Sequence, residues 1–130
     1  MTIHAAAALR RDPRAAITAL SAAAPYELGQ TNPVVSFCCY PVYLRGQAYL
    51  AMKQGSAAAA EFQKILDHPG VVENELTGAL AHLGLGRAYV VTGDTTKARA
   101  AYQDFLALWK DADPGIPILQ EAKVEYAKLR

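Results

Sequence analysis

The residues of this chain that could do chemistry are few and scattered. His4, His68 and His82 lie far apart. None has a second histidine at the i,i+4 spacing that sets two imidazoles on one helix face for a metal. Cys38 and Cys39 are adjacent and no third cysteine exists, so neither a disulfide framework nor a zinc pattern is read. Ahead of Tyr40-Pro41, at a helix start, a thiol could be acidified. A free cysteine is more often a small buried hydrophobe, and that is the expectation here. Gly84-Leu85-Gly86 invites a phosphate-cradle reading, but the third glycine is missing and the segment sits inside a helical pattern instead of after a strand. A close helix–helix contact is expected there. Glu73 and Glu75 fall in a loop or first helical turn, where acid suits the helix dipole. With no nucleophile–base pair, no paired catalytic carboxylates and no metal set, the expectation is a chain that is not an enzyme and carries no cofactor or metal.

Composition points the same way. The chain is 52% apolar and 19% charged, which is globular and not disordered, and its 130 residues suit one domain. Much of the apolar share is alanine, the strongest helix former, while β-branched residues are sparse. The fold expected is all-α. The net charge of +1, with no long Lys/Arg run, gives no electrostatic footprint for nucleic acid. No apolar stretch reaches the length of a bilayer span, so no membrane insertion is expected. Arg10, Arg11 and Arg14 follow the N-terminal apolar stretch, the reverse of a signal peptide's order.

The elements that would position these residues repeat. Gly46 to Phe62 spans 16 positions, and so does Gly86 to Tyr102. Gly46–Tyr49 matches Gly86–Tyr89, and Ala58–Phe62 matches Ala98–Tyr102. Matching intervals mark an internal repeat. Each unit reads as a helical hairpin, with turns at Gln54-Gly55-Ser56 and Thr92-Gly93-Asp94, the glycine ending one helix and Ser56 or Asp94 capping the next. Ala98, Tyr102, Phe105 and Trp109 form an amphipathic stripe. An earlier unit shows Asp12 as N-cap, Pro13 at the first helical position, then Ala16 and Leu20. A last helix opens at Pro117, with Leu119, Ala122, Tyr126 and Leu129 on one face and Gln120, Glu121, Lys123, Glu125 and Lys128 on the other, as a solvating cap requires. Two long linkers, 25–40 and 67–74, separate the units.

These residues resemble the tetratricopeptide repeat family, whose pattern is W-x₂-L-G-x₂-Y, A-x₃-F, then P. The last repeat reads His82-x₂-Leu85-Gly86-x₂-Tyr89, Ala98-x₃-Tyr102, Pro114; the middle one reads Val42-x₂-Arg45-Gly46-x₂-Tyr49, Ala58-x₃-Phe62, Pro69. The departures are Val42 and His82 in the Trp slot, Arg45 in the Leu slot, and the long linkers. The resemblance implies one domain over 1–130, an α-solenoid of antiparallel helix pairs with about three repeats (about 1–24, 39–68 and 75–112) and a capping helix over 116–129. The runs from Phe62 to Gly70 and from Ala81 to Tyr89 are similar to the C-terminal repeat region of large bacterial serine/threonine kinases and winged-helix regulators. That implies a fragment of a larger signalling protein, cytoplasmic, or else an extracytoplasmic part of a membrane-anchored parent.

In this family the first helix of each pair lines a concave surface. With helical spacing, the resemblance implies a partner-binding groove of Tyr40, Tyr43, Gln47 and Leu50 from the middle repeat and Leu80, Leu83, Arg87 and Val90 from the last. Of the Lys, Arg and Asn set with which some members grip a C-terminal carboxylate, only Arg87 is in place. The function implied is a protein–protein interaction module holding a peptide or partner domain. The alternative is a structural or homodimerisation region.

Overall fold

A computed structural model of the chain describes residues 2–28, 39–69 and 76–129. Among them are seven helices and no strand: α1 (Thr2–Leu9), α2 (Pro13–Ser21), α3 (Tyr40–Ala51), α4 (Gly55–Leu66), α5 (Leu76–Thr92), α6 (Thr95–Leu108) and α7 (Pro117–Ala127). The protein is all-α. Cys38, Glu73 and Glu75, and most of both linkers, lie outside the described residues.

The starts of α2 and α6 are fixed as their residue types require. The Asp12 carboxylate accepts from the backbone N–H of Arg14 and Ala15, with Pro13 opening the helix, and Asp94 accepts from Lys97 N–H. Such caps satisfy amides that a helix start leaves unpaired. Between α3 and α4 the expected turn is displaced. Gly55 and Ser56 are already helical, and Ser56 caps nothing; Gln54 is the N-cap, without a side-chain bond. The left-handed residue of this turn is Lys53, at φ 58°, and its counterpart between α5 and α6 is Gly93, at φ 82°. The two turns are otherwise alike. Lys53 N–H donates to Leu50 C=O and Gln54 N–H to Tyr49 C=O, as Gly93 does to Val90 and Asp94 to Tyr89. Gly55 is needed for proximity: a Cβ there would lie 2.7 Å from the Ala88 carbonyl oxygen.

The short turns set the helices antiparallel within the pairs α1–α2, α3–α4 and α5–α6. Each helix packs on the next, and α1 also meets α3, as α3 meets α5. Three apolar clusters result. One lies among α1, α2 and α3 around Ala5, Leu20 and Leu44. The central one joins α3, α4 and α5 through Val42, Ala58, Phe62, Ile65, Ala81 and Leu85, with buried Cys39 at its edge. The third joins α5, α6 and α7 through Leu83, Tyr102, Phe105, Leu119 and Ala122.

Glycines let aromatic rings seat against helix backbones. A Cβ at Gly46 or at Gly84 would come within 2.6 Å of the Phe62 ring, and one at Gly86 within 2.8 Å of Tyr102. Phe62 therefore lies between α3 of its own hairpin and α5 of the next. The close contact expected at Gly84-Leu85-Gly86 is this ring packing.

Two stability changes of opposite sign follow. Gly84→Ala forces a methyl into the Phe62 ring, costing about 1–3 kcal/mol of overpacking against ~1 kcal/mol of helix propensity gained; urea denaturation should show net destabilisation. Lys53→Gly relieves about 1–2 kcal/mol of left-handed strain and gives back ~0.4–1 kcal/mol through the looser unfolded chain, so its unfolding midpoint should rise.

Candidate functional site

Two polar clusters interrupt the packing. The first explains Arg45 in an otherwise apolar slot. Glu27, in the turn after α2, has a side chain 0% exposed, and that of Arg45 is 5% exposed. The guanidinium donates to both Glu27 carboxylate oxygens at 2.7 Å and to Glu61 at 2.9 Å, and Lys64 also pairs with Glu27. Burial would push the Glu27 carboxyl up, but the hydrogen bonds and charges of Arg45 and Lys64 outweigh it and hold the group below its ordinary 4.5. Every charge here faces an opposite one, so the cluster binds α2, α3 and α4 together and leaves no group aimed at a ligand.

The second cluster borders an open cleft of about 420 Å³ lined by α3, α5, α7 and their flanking turns. Its apolar surface comes from Leu50, Val90, Val91 and Leu129, and its polar surface from Gln47, Lys53, Arg87, Glu125 and Lys128, with Tyr102 at the base. Arg87 is not free to meet a ligand alone. Its Nε and Nη2 donate to Glu125 at 2.9 and 2.8 Å, and Nη2 reaches Glu121 at 3.4 Å. The Tyr102 hydroxyl donates to the same Glu125 carboxylate at 2.6 Å. Burial raises the Tyr102 hydroxyl and the Glu125 hydrogen bond raises it further, so it stays a donor. Burial opposes ionisation of Glu125, but Arg87 and Tyr102 overcome it and keep the carboxyl below its usual range.

Of the eight groove residues expected from the sequence, Gln47, Leu50, Arg87 and Val90 come together here. The other four do not line the cleft. Tyr40 packs on the α1–α2–α3 cluster. Tyr43 sets its ring edge-on to Phe62 at 5.9 Å, and burial raises its hydroxyl. Leu80 packs half-buried on the α5–α6–α7 cluster, and Leu83, 1% exposed, is inside it. The reason is that α5 is buried on two sides: Ala81, Leu85 and Ala88 face the central cluster while Leu83 faces the third. Leu83 shares a face with Arg87 and Val90, and Tyr40 and Tyr43 share one with Gln47 and Leu50; in both helices the earlier turns of that face are covered by neighbours and only the later turns line the cleft.

Lys53, Val91, Tyr102, Glu125, Lys128 and Leu129 were not anticipated. Lys53 had a signal: it stands seven residues after Gly46, as Gly93 stands after Gly86. Glu125 and Lys128, expected on a solvated face, instead turn to the cleft because α7 seats Leu119 and Ala122 in the third cluster. His82 is half-buried, 3.8 Å from the Asp104 carboxylate; burial lowers its pKa and Asp104 opposes this. Among the described residues no group of three or more potential ligands is placed to hold a metal, and no helix is long and apolar enough to cross a membrane.

In comparisons with known proteins, no family model, curated protein or solved structure matches the chain.

The acid limb of stability tests the first cluster. A carboxyl whose folded pKa lies below its unfolded value stabilises the fold above that unfolded value, and the contribution is lost as pH falls through the folded pKa. Glu27 and Glu125 both behave so, so stability should decline as pH drops below the ordinary 4.5. Glu27→Gln should flatten that decline. At neutral pH it should cost about 3 kcal/mol, the lower end for breaking a buried pair, because Arg45 keeps Glu61. Urea titrations across acidic pH check both statements.

Proposed function

We propose that the chain is a tetratricopeptide-type repeat domain, built of antiparallel helix pairs with α7 as its cap, that holds a peptide or partner domain of another protein in the cleft of α3, α5 and α7. The observation that carries this reading is the convergence of Gln47, Leu50, Arg87 and Val90, four of the eight residues implied by the resemblance together with helical spacing, on one open cleft. The cleft is of ligand-binding size, and Val90 and Val91 stay 48% and 37% exposed in it. Its one carboxylate is paired in a way that favours holding over catalysis: Glu125 is engaged by Arg87 and Tyr102, which keeps it ionised and short of proton-transfer duty. The resemblance noted above makes a larger bacterial signalling protein, kinase or transcriptional regulator, the natural parent, acting in the cytoplasm.

The second reading, self-association, draws on the same exposed valines, since apolar patches often mark interfaces. Selection from a displayed peptide library, with light scattering across concentrations, separates the two. For a peptide-holding module, the chain stays monomeric and yields binders. Leu50→Glu should weaken them about ten-fold or more, the scale of losing an anchor at an interface. Leu108→Glu, exposed on α6 and outside the cleft, should leave them unchanged. A stable dimer abolished by Leu50→Glu would instead establish self-association.

A further inference from the structure

Resting on that reading, we propose that the cleft selects an acidic peptide segment of a partner protein, its apolar side chain on Leu50, Val90 and Val91 and its carboxylate at Lys53 and Lys128.

Charge complementarity supports this occupant. Lys53, Arg87 and Lys128 bring three positive charges to the lining and Glu125 brings one negative, a local excess of two in a chain whose net charge is only +1. The charges also differ in availability. Arg87 is neutralised within the chain by Glu125. Lys53 is exposed, as is Lys128, and neither ammonium forms an ion pair among the described residues; Lys128 contributes only a longer-range attraction to Glu125. Two free cations beside an apolar surface match a ligand with an apolar body and a carboxylate tip. The ligand carboxylate thus goes to the rim lysines, while Arg87 serves to hold α7.

The backbone at Lys53 is a second, independent observation. The turn that glycine makes freely at Gly93 is made here by lysine at φ 58°. Strain of this kind collects at ligand-binding positions, and this residue's side chain lines the cleft. Stability and recognition are therefore set against each other at one residue.

The test is fluorescence anisotropy on the whole chain with three short labelled peptides, identical in their leucine and valine content and carrying Glu, Gln or Lys beside them. The Glu peptide should bind about five- to ten-fold tighter than the Gln peptide, the yield of two exposed ion pairs. The Lys peptide should bind weakest, and the preference should shrink at high salt. Lys53→Gly should lose part of the preference while unfolding at a higher temperature, a pairing that a merely structural lysine would not give. Lys128→Gln should lose a similar part, and Lys123→Gln, outside the cleft, none. Three peptides binding equally would overturn the acidic preference and leave the peptide-holding reading standing. A monomeric, folded chain that binds none of them would overturn both. A dimer displaced by no peptide would overturn both in favour of a second copy.

Discussion

The seating of the Phe62 ring against two helix backbones is the constraint on which the other contacts depend. With hydrogens at Gly46 and Gly84 in place of methyls, α3 and α5 both close on the same ring. That closeness brings Leu50 and Val90 to one side of the pair and makes a cleft between them. The same cluster is rich in small residues: Ala58, Ala81 and Ala88 are fully buried in it, where larger side chains would hold the helices apart. Dense packing of this sort leaves little slack, so the spacing of the cleft walls is fixed by the core below and not by the residues that line it.

Much of this was legible from spacing. The equal intervals from Gly46 to Phe62 and from Gly86 to Tyr102 correctly placed two aromatic rings and the helix pairs that carry them, because close approach permits few substitutes for glycine. Asp12 and Asp94 declared two helix starts because an N-cap is a local, one-residue need. The turn before α4 was misplaced because Gly55 was read as a breaker, whereas it is a helical residue pressed on the Ala88 carbonyl; a glycine required for proximity and one required for a positive φ look alike in sequence.

The cleft was only half legible, for a different reason. Gln47, Leu50, Arg87 and Val90 follow from the resemblance, which picks the first helix of each pair, together with helical phase within that element. Leu83 shares the phase of Arg87 and Val90, but nearer the start of α5 that same face is covered by Phe105, Leu119 and Ala122, and phase says nothing of which stretch of a face is left open. The partnership of Arg87 with Glu125, and of Arg45 with Glu27, joins residues 38 and 18 positions apart, and no periodicity connects a cation to a carboxylate at such separations. Both pairs do the same work: each ties an element outside the central hairpins, α7 or the turn after α2, to the first helix of a pair. Such a pair adds little over an apolar replacement of both partners, yet removing one partner alone is costly because it strands the other charge.

The enclosure of α5 has one more consequence. It is the element shared by the central and C-terminal clusters, whereas α1 and α2 contribute to a smaller cluster of their own with α3. Exposing the amides in the middle of α5 should therefore require both of its clusters to open, whereas those of α1 and α2 should need only a local opening. The cleft walls that come from α3 and α5 belong to this jointly held part of the molecule, so their spacing should persist through openings confined to α1 and α2.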